Sequence, residues 1–205
     1  MQKKNTFIIN LGGSLIVPEQ IDVDFLKKFR KIIIDQIEER DQKFVLTTGG
    51  GKTCRRYNES AEAIADGLTA EDKDWLGIHA TRLNGHLIRT IFRDYAYPRI
   101  NTNPHDLEDF YKSKEPIMIA AGWRPGRSTD YATALLAKYL GIKKIINLSN
   151  IDYIYDKDPN KFPDAQKVNK MSWKDLRAMI GDDWVPGMHA PFDPVASQLA
   201  DEENL

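Results

Sequence analysis

Cysteine is almost absent from this 205-residue chain. Cys54 stands alone, which excludes an internal disulfide framework and any cysteine-built zinc finger. Long apolar runs are missing too: no segment approaches the roughly 18 consecutive apolar residues that a membrane-crossing helix needs. The start, MQKKNTFIIN, is basic but lacks the apolar stretch and small-residue cleavage site of a secretory signal. Neither sign of charge is in excess, since 29 Lys plus Arg against 30 Asp plus Glu leave a formal net charge of −1. That balance argues against nucleic acid or an anionic membrane as partner. Repeats, low-complexity tracts and linkers are also lacking. With 41% hydrophobic and 29% charged residues, the chain reads as one globular domain with a sizeable core, and a soluble, cytoplasmic protein is expected.

Several familiar catalytic signatures are missing as well. Gly51-Lys52-Thr53 looks like the tail of a P-loop, but the first glycine that GxxxxGK[ST] requires would fall at Leu46, inside an apolar run. No G-x-S-x-G elbow occurs, and Cys54 has no evident base, so hydrolase chemistry has no support. His79 and His86 are spaced to share a helix face and His189 lies beside Gly187-Met188, yet no spacing suggests a metal cluster.

What is present is an alternation of strands and helices. Phe7–Leu11, Phe44–Thr48, Ile117–Ala121 and Lys144–Leu148 read as strands, with a further short one at Tyr97–Ile100 and a hairpin arm at Ile151–Tyr155. Ile21, Phe25, Leu26, Phe29, Ile32, Ile33 and Ile37 form one apolar face of a helix over Asp22–Arg40. Further helices are expected at Arg55–Ala65, Asp72–Tyr95, Pro104–Tyr111, from Ser128 or Thr129 to Leu140 with Gly141 as stop, at Ser172–Ile180, and from Asp193-Pro194 to Ala200. Such alternation implies a mostly parallel sheet covered on both faces, with ligands at the carboxyl ends of its strands.

Those strand ends hold the glycines: Gly12-Gly13-Ser14, Gly49-Gly50-Gly51, and Gly122 through Gly126. Main chain without Cβ can turn sharply and aim its N–H groups at phosphate oxygens. The ordinary alternative is that any α/β protein needs glycine at tight turns; three such sites at one end of the sheet favour phosphate. Lys52, Arg55, Arg56, Arg124 and Arg127 stand beside these turns, with Arg55, Arg124 and Arg127 the better phosphate ligands. Asp74, Asp130, Asp152, Asp156, Asp158 and Asp193 occupy loop or helix-start positions. There they could serve phosphoryl transfer or simply cap helices and turns.

In chain order, IINLGGSL, TTGGGKTCRRY, KDWLGIHATRLNG, AAGWRPGRSTD, LSNIDYIYDKDP and GMHAPFDPVAS resemble the amino acid kinase family, and within it the uridylate (UMP) kinases of the archaeal type. The resemblance implies a three-layer αβα sandwich with a mostly parallel central sheet and no P-loop, spanning residues 1–205. Residues 1–115 would serve the phosphate acceptor and 116–205 the ATP. It implies phosphoryl transfer from ATP to UMP with Mg²⁺, in the cytoplasm, by a homo-oligomer, a hexamer in such kinases. Gly12, Gly13 and Ser14 would border the ATP phosphates, and Asn150, Asp152, Tyr155 and Asp158 would wrap the ATP nucleoside. Gly50, Gly51 and Arg55 would hold the UMP phosphate, with Asp74 on the ribose and Thr129 contacting UMP. Asp130, Asp193 and Arg127 would serve catalysis, with no side chain assigned to a metal.

The chain also departs from the family pattern. Asn10 stands where many members have Lys, so a cation must come from elsewhere, Arg127 or Lys52. Trp123 stands for a common Thr near the substrate base, Tyr153 for a usual Gly, and relatives continue past the position of Leu205 through a further strand and helix. Two other readings stay open: a kinase of another small acid or phosphate, and a non-catalytic relative that senses or stores nucleotide.

Overall fold

Apolar side chains at period two, cut off by turn residues, make strands of four short segments. The computed structural model describes residues 5–151, 153–157, 162–183 and 190–205. In it β1 (Thr6–Leu11), β2 (Lys43–Thr48), β3 (Ile117–Ala120) and β4 (Ile145–Leu148) form a parallel sheet in the order β3-β2-β1-β4. β5 (Ile154–Tyr155) and β6 (Lys167–Val168) pair antiparallel in a second, smaller sheet. The helices are α1 (Gly13–Ile16), α2 (Val23–Arg40), α3 (Gly51–Ile64), α4 (Ala70–Ile91), α5 (Glu108–Lys112), α6 (Thr129–Leu140), α7 (Trp173–Ile180) and α8 (Pro194–Glu202).

Alternation assigns each strand two cores. Ile9, Leu11, Phe44, Leu46, Ile117 and Ile119 face Leu26, Phe29 and Ile33 of α2 and Ile88 of α4. Ile8, Val45, Met118 and Ala120 face the other way, onto Leu136, Ala137 and Leu140 of α6 and Phe110 of α5. A third cluster joins α6 to α7 and α8 through Leu135, Leu176, Ala196 and Leu199, with Phe192 just before α8. Fully burying each large aliphatic side chain is worth roughly 1.5–3 kcal/mol, so packing against the sheet outweighs helix propensity. The result is the expected three-layer αβα sandwich.

The differences from expectation are local. Tyr97–Ile100 is no strand: only Ala96 and Asn101 bridge to β3, because Pro98 between them has no N–H to donate. α5 begins at Glu108 rather than Pro104, since Asn103 and Asp106 side chains accept the N–H groups of His105 and Glu108. α3 starts four residues earlier than Arg55, the glycine turn itself forming its first turn. Ile21 and Ile32, expected on the apolar face, are 48% and 58% exposed, Ile21 because it precedes the α2 N-cap Asp22. Asp193 caps α8 as read from the sequence, and Ser128 rather than Thr129 caps α6. Ser172 proves to be the N-cap of α7 rather than its first residue, and Gly141 closes α6 in the left-handed region.

Register sets the site. Leu11 lies opposite both Thr48 and Leu148, and Thr47 opposite Ala120, so the strands end nearly level. The chain adds β2 and β3 on one side of β1 and then β4 on the other, the reversal that opens a crevice at strand carboxyl ends. There the first two glycine turns pack main chain against main chain. A Cβ on Gly13 would lie 2.0 Å from Gly51 N and 2.6 Å from the Gly49 carbonyl carbon, atoms that cannot swing aside. Gly13→Ala is therefore expected to lower unfolding stability by more than about 3 kcal/mol in urea titrations. Gly67→Ala, which meets nothing within 4 Å but sits at φ +74°, should cost only about 1 kcal/mol.

Candidate active site

A cleft of about 510 Å³ opens at the carboxyl ends of the sheet, a size suited to small ligands. All three glycine turns reach it: Gly12, Gly13 and Ser14 after β1, Gly50 and Gly51 after β2, and Gly122 after β3. Arg55 enters from α3 and Asp74 from α4, Arg127, Thr129 and Asp130 from the start of α6, Asn150 from beyond β4, and Asp193 from the start of α8. The glycine turns that the sequence placed at successive strand ends thus share one cavity. No side chain caps α3, whose first residues follow Gly50 at the cleft wall.

The turns are fixed by hydrogen bonds. Gly12 N–H donates to Leu148 O at 2.8 Å, Gly49 N–H to Leu11 O at 3.0 Å, and Lys52 N–H to Val17 O at 2.9 Å. Ser14 Oγ donates to Asn150 Oδ1 at 3.1 Å, joining the β1 turn to the chain beyond β4. Helix α4 holds the other two turns. Asn84 Nδ2 donates to Gly49 O at 2.7 Å and Gly50 O at 3.2 Å, while Arg82 donates to Gly122 O and Trp123 O, both at 3.1 Å. Gly122 N–H in turn donates to Thr81 Oγ1 at 2.8 Å. Thr81, Arg82 and Asn84 escaped sequence reasoning, although buried polar residues amid the apolar face of ATRLNGHL were a signal. Asp74 accepts from Gly126 N–H at 2.6 Å and so restrains the loop before α6.

At the floor lies a carboxylate pair. Asp130 Oδ1 accepts from Asn10 Nδ2 at 2.7 Å and Oδ2 from Asp193 N–H at 2.9 Å. Asp193 Oδ1 accepts from Ala196 N–H at 2.9 Å and Oδ2 from Ser128 Oγ, which also caps α6 through Tyr131 N–H. Burial, with the Asp193 charge beside it, raises the Asp130 pKa from 3.8 to about 6, against the pull of the Asp193 N–H and Asn10. Burial likewise pushes Asp193 up, opposed by Ser128, backbone N–H groups and Arg127.

Cations separate into two groups. Arg55, Lys73 and Arg127 line the cleft. Lys73 is tied to Glu62 at 3.1 Å. Arg127 stacks 4.7 Å over the Tyr131 ring and donates through Nη1 to Gly126 O at 3.0 Å, leaving its buried Nε without a partner. Arg124, in contrast, lies over the Trp123 ring at 4.1 Å, outside the cleft lining, and Lys52 and Arg56 turn toward Glu19. Of the two cations proposed to make up for Asn10, only Arg127 reaches the cleft. Trp123 packs against His105 at 4.9 Å and is not a cleft residue. Tyr155 lies in β5, also outside the lining; Asp152, Asp158 and His189 fall outside the described residues. His79 and His86 are exposed, and no group of three or more metal-ligating side chains occurs among the described residues. Cys54 lines the cleft, its thiol pKa raised by burial.

The family model for the amino acid kinase family matches residues 5–205. The chain belongs to the amino acid kinase family. Within that family, the uridylate kinase of Pyrococcus abyssi is 34% identical over 198 residues, covering 94% of this chain and 84% of that protein. The uridylate kinase of Thermococcus gammatolerans is 36% identical over 174 residues, 82% of this chain and 73% of that one. Among solved structures, uridylate kinase from Archaeoglobus fulgidus superposes with a TM-score of 0.79 at 26% identity, covering 97% of this chain and 87% of that chain. Aspartate kinase from Synechocystis, at 15% identity, shares the fold with a TM-score of 0.73 over 97% of this chain and 36% of its own.

The raised pKa of Asp130 has a thermodynamic signature. An acid whose folded-state pKa exceeds its unfolded value supports stability below the unfolded pKa and loses it as pH rises through the folded one. The wild-type chain should lose about 2–3 kcal/mol relative to Asp130→Asn between about pH 4 and pH 8, as unfolding titrations at the two pH values would reveal.

Proposed function

We propose that the chain transfers the γ-phosphoryl group of ATP to UMP, giving UDP and ADP. One observation carries this reading: a single cleft joins the β1 turn and Asn150 on one side to the β2 turn, Arg55 and Asp74 on the other, with Arg127 and Asp130 between them in the chain's own layout. The uridylate kinase relatives fix the substrate class it is compared with. Family membership itself makes ATP the phosphate donor.

The chemistry needs little from side chains beyond position and charge. The phosphate of a nucleoside monophosphate has its second pKa near about 6, so at neutral pH it is already an anionic nucleophile and requires no general base. Gly50, Gly51 and Arg55 hold that phosphate, Asp74 the ribose, and Thr129 touches the acceptor. Gly12, Gly13 and Ser14 border the ATP phosphates, and Asn150, with Asp152, Tyr155 and Asp158, belongs to the ATP nucleoside side. The acceptor side is thus drawn mostly from the first 115 residues and the donor nucleoside side from the remainder, with the β1 turn and Thr129 crossing that division. Arg127 brings positive charge to the transferring phosphoryl, where its unpartnered Nε can donate. Asp130 and Asp193 order the groups around that phosphoryl. Preorganised donors and cations aimed at developing charge are the main source of rate in such a transfer.

Mg²⁺ fits this cleft as an ion carried on the nucleotide. Each oxygen of Asp130 and Asp193 already accepts one hydrogen bond, and no group of three or more metal-ligating side chains occurs among the described residues. Phosphate oxygens and water would therefore hold it, neutralising charge on the triphosphate.

Self-association belongs to the same proposal. None of the residues of α3 is buried, and Tyr57, Ile64, Trp75 and Leu83 leave α3 and α4 with exposed apolar side chains. Homo-oligomers, hexamers by resemblance, would cover that face. Light scattering coupled to gel filtration should give a multiple of 23.4 kDa; a monomer at micromolar concentration would refute this part.

Release of ADP coupled to a panel of nucleoside monophosphates, amino acids and small phosphates tests the activity, with turnover expected on UMP. Failure of every acceptor, alongside tight ATP binding, would instead favour a nucleotide-sensing role. Arg55→Ala should raise KM for UMP about 10- to 100-fold, the worth of a charged hydrogen bond. Arg127→Ala should act mainly on kcat, lowering it about 100-fold, because its contact strengthens as charge moves.

A further inference from the structure

Asn10 is the penultimate residue of β1, with only 4% of its surface exposed, an uncharged side chain lining the cleft at the strand's carboxyl end. Its amide is almost fully engaged. Nδ2 donates to Asp130 Oδ1 at 2.7 Å and to Asn147 Oδ1 at 2.9 Å. Oδ1 accepts from Thr47 Oγ1 at 2.9 Å, and Thr133 Oγ1 stands 3.4 Å away. Thr47 and Thr133 hydroxyls touch at 2.7 Å, Thr133 donates to Thr129 O at 2.7 Å, and Asn147 Nδ2 donates to Pro191 O at 2.6 Å. One side chain therefore ties β1 to β2, to β4, to α6 and, through Asn147, to the segment that leads into α8. The ionised carboxylate of Asp130 can only accept, so the amide is oriented with nitrogen toward it.

We propose that Asn10 is a positioning residue for phosphoryl transfer: it holds the Asp130 carboxylate at the cleft floor through a neutral donor and adds no charge of its own there. This rests on the kinase reading for its kinetic consequences, while the network itself does not. The charged groups facing Asp130 are Asp193 at the start of α8 and, acting on Asp193, Arg127 before α6. A neutral donor stabilises the carboxylate without cancelling its charge, so Asp130 remains free to hold the backbone N–H of Asp193, whose own carboxylate feels the Arg127 charge. An amide is also fixed by both of its ends, which a flexible cationic chain is not.

Asn10→Asp is the isosteric test, because it replaces the donor with a third carboxylate while keeping the shape. In the active enzyme, kcat at neutral pH should fall about 30-fold with KM for UMP and ATP within about threefold, and the low-pH limb of kcat should move up by about one unit. The second arm needs no activity. The melting temperature of Asn10→Asp should fall below wild type as pH rises past about 6, and the swapped pair Asn10→Asp with Asp130→Asn should recover it without recovering turnover. Kinetics and pH profile coinciding with wild type, or a melting loss unaffected by whether residue 130 is acidic, would overturn the assignment. A kcat loss with an unmoved low-pH limb would do so too, reducing Asn10 to a structural role. A wild-type enzyme that makes no UDP would sink the kinase reading and leave the melting arm to decide on Asn10.

Discussion

Contact of main chain with main chain between Gly13 and the Gly49–Gly51 turn is the constraint on which the site depends. Two strands of a parallel sheet normally keep their following turns apart by the width of their side chains. Removing every Cβ at this junction lets two loops touch, and Lys52 N–H closes the contact on Val17 O. The start of α3 is thereby brought beside the first turn, so that the two turns border the same space; on the proposed reading, one faces the donor phosphates and the other the acceptor phosphate. Glycine here serves proximity: the tight-turn explanation offered by the sequence is what the backbone contact shows, and phosphate access belongs to the proposed function.

Beneath that junction the protein buries polarity instead of avoiding it. Thr47, Thr133, Asn10, Asp193 and Ser197 are all shielded from solvent, and each described one has a hydrogen-bond partner. Such a network is costly if any member is unsatisfied and rigid when all are paired. It occupies the layer between the sheet and α6, which is why the helix carries both apolar residues toward the sheet and Asp130 toward the cleft. The raised pKa of Asp130 is the electrostatic trace of this choice: a carboxylate is held where solvent cannot stabilise it.

Much of this was legible in the residues. Period-two runs ended by glycine gave the strands and the cleft, because both signals arise from local sterics. Cap residues Ser128 and Asp193 were equally local. What could not be read was direction and distance. Arg127 and Lys52 have the same chemistry beside equivalent turns, and only the fold shows that Glu19 draws Lys52 away. Asn84 and Arg82 act on carbonyl oxygens, and a main-chain acceptor leaves no mark in a sequence. Tyr97–Ile100 had strand-like side chains, but Pro98 removed one hydrogen bond that pairing required. Ile32 fits the helical spacing yet is exposed on α2, and Ile21 is exposed because it precedes the N-cap Asp22 and lies outside the helix.

Helix α4 grips Gly49, Gly50, Gly122 and Trp123 through Thr81, Arg82 and Asn84, while among the described residues the chain beyond β4 meets the first turn through one side-chain link, from Ser14 to Asn150. The cavity consequently has two jaws of unequal stiffness. The jaw clamped by α4 behaves as an anvil, and the opposite one can be displaced by breaking few bonds. On the proposed reading, the larger nucleotide would enter and leave at the compliant jaw, without disturbing the seat of the smaller one.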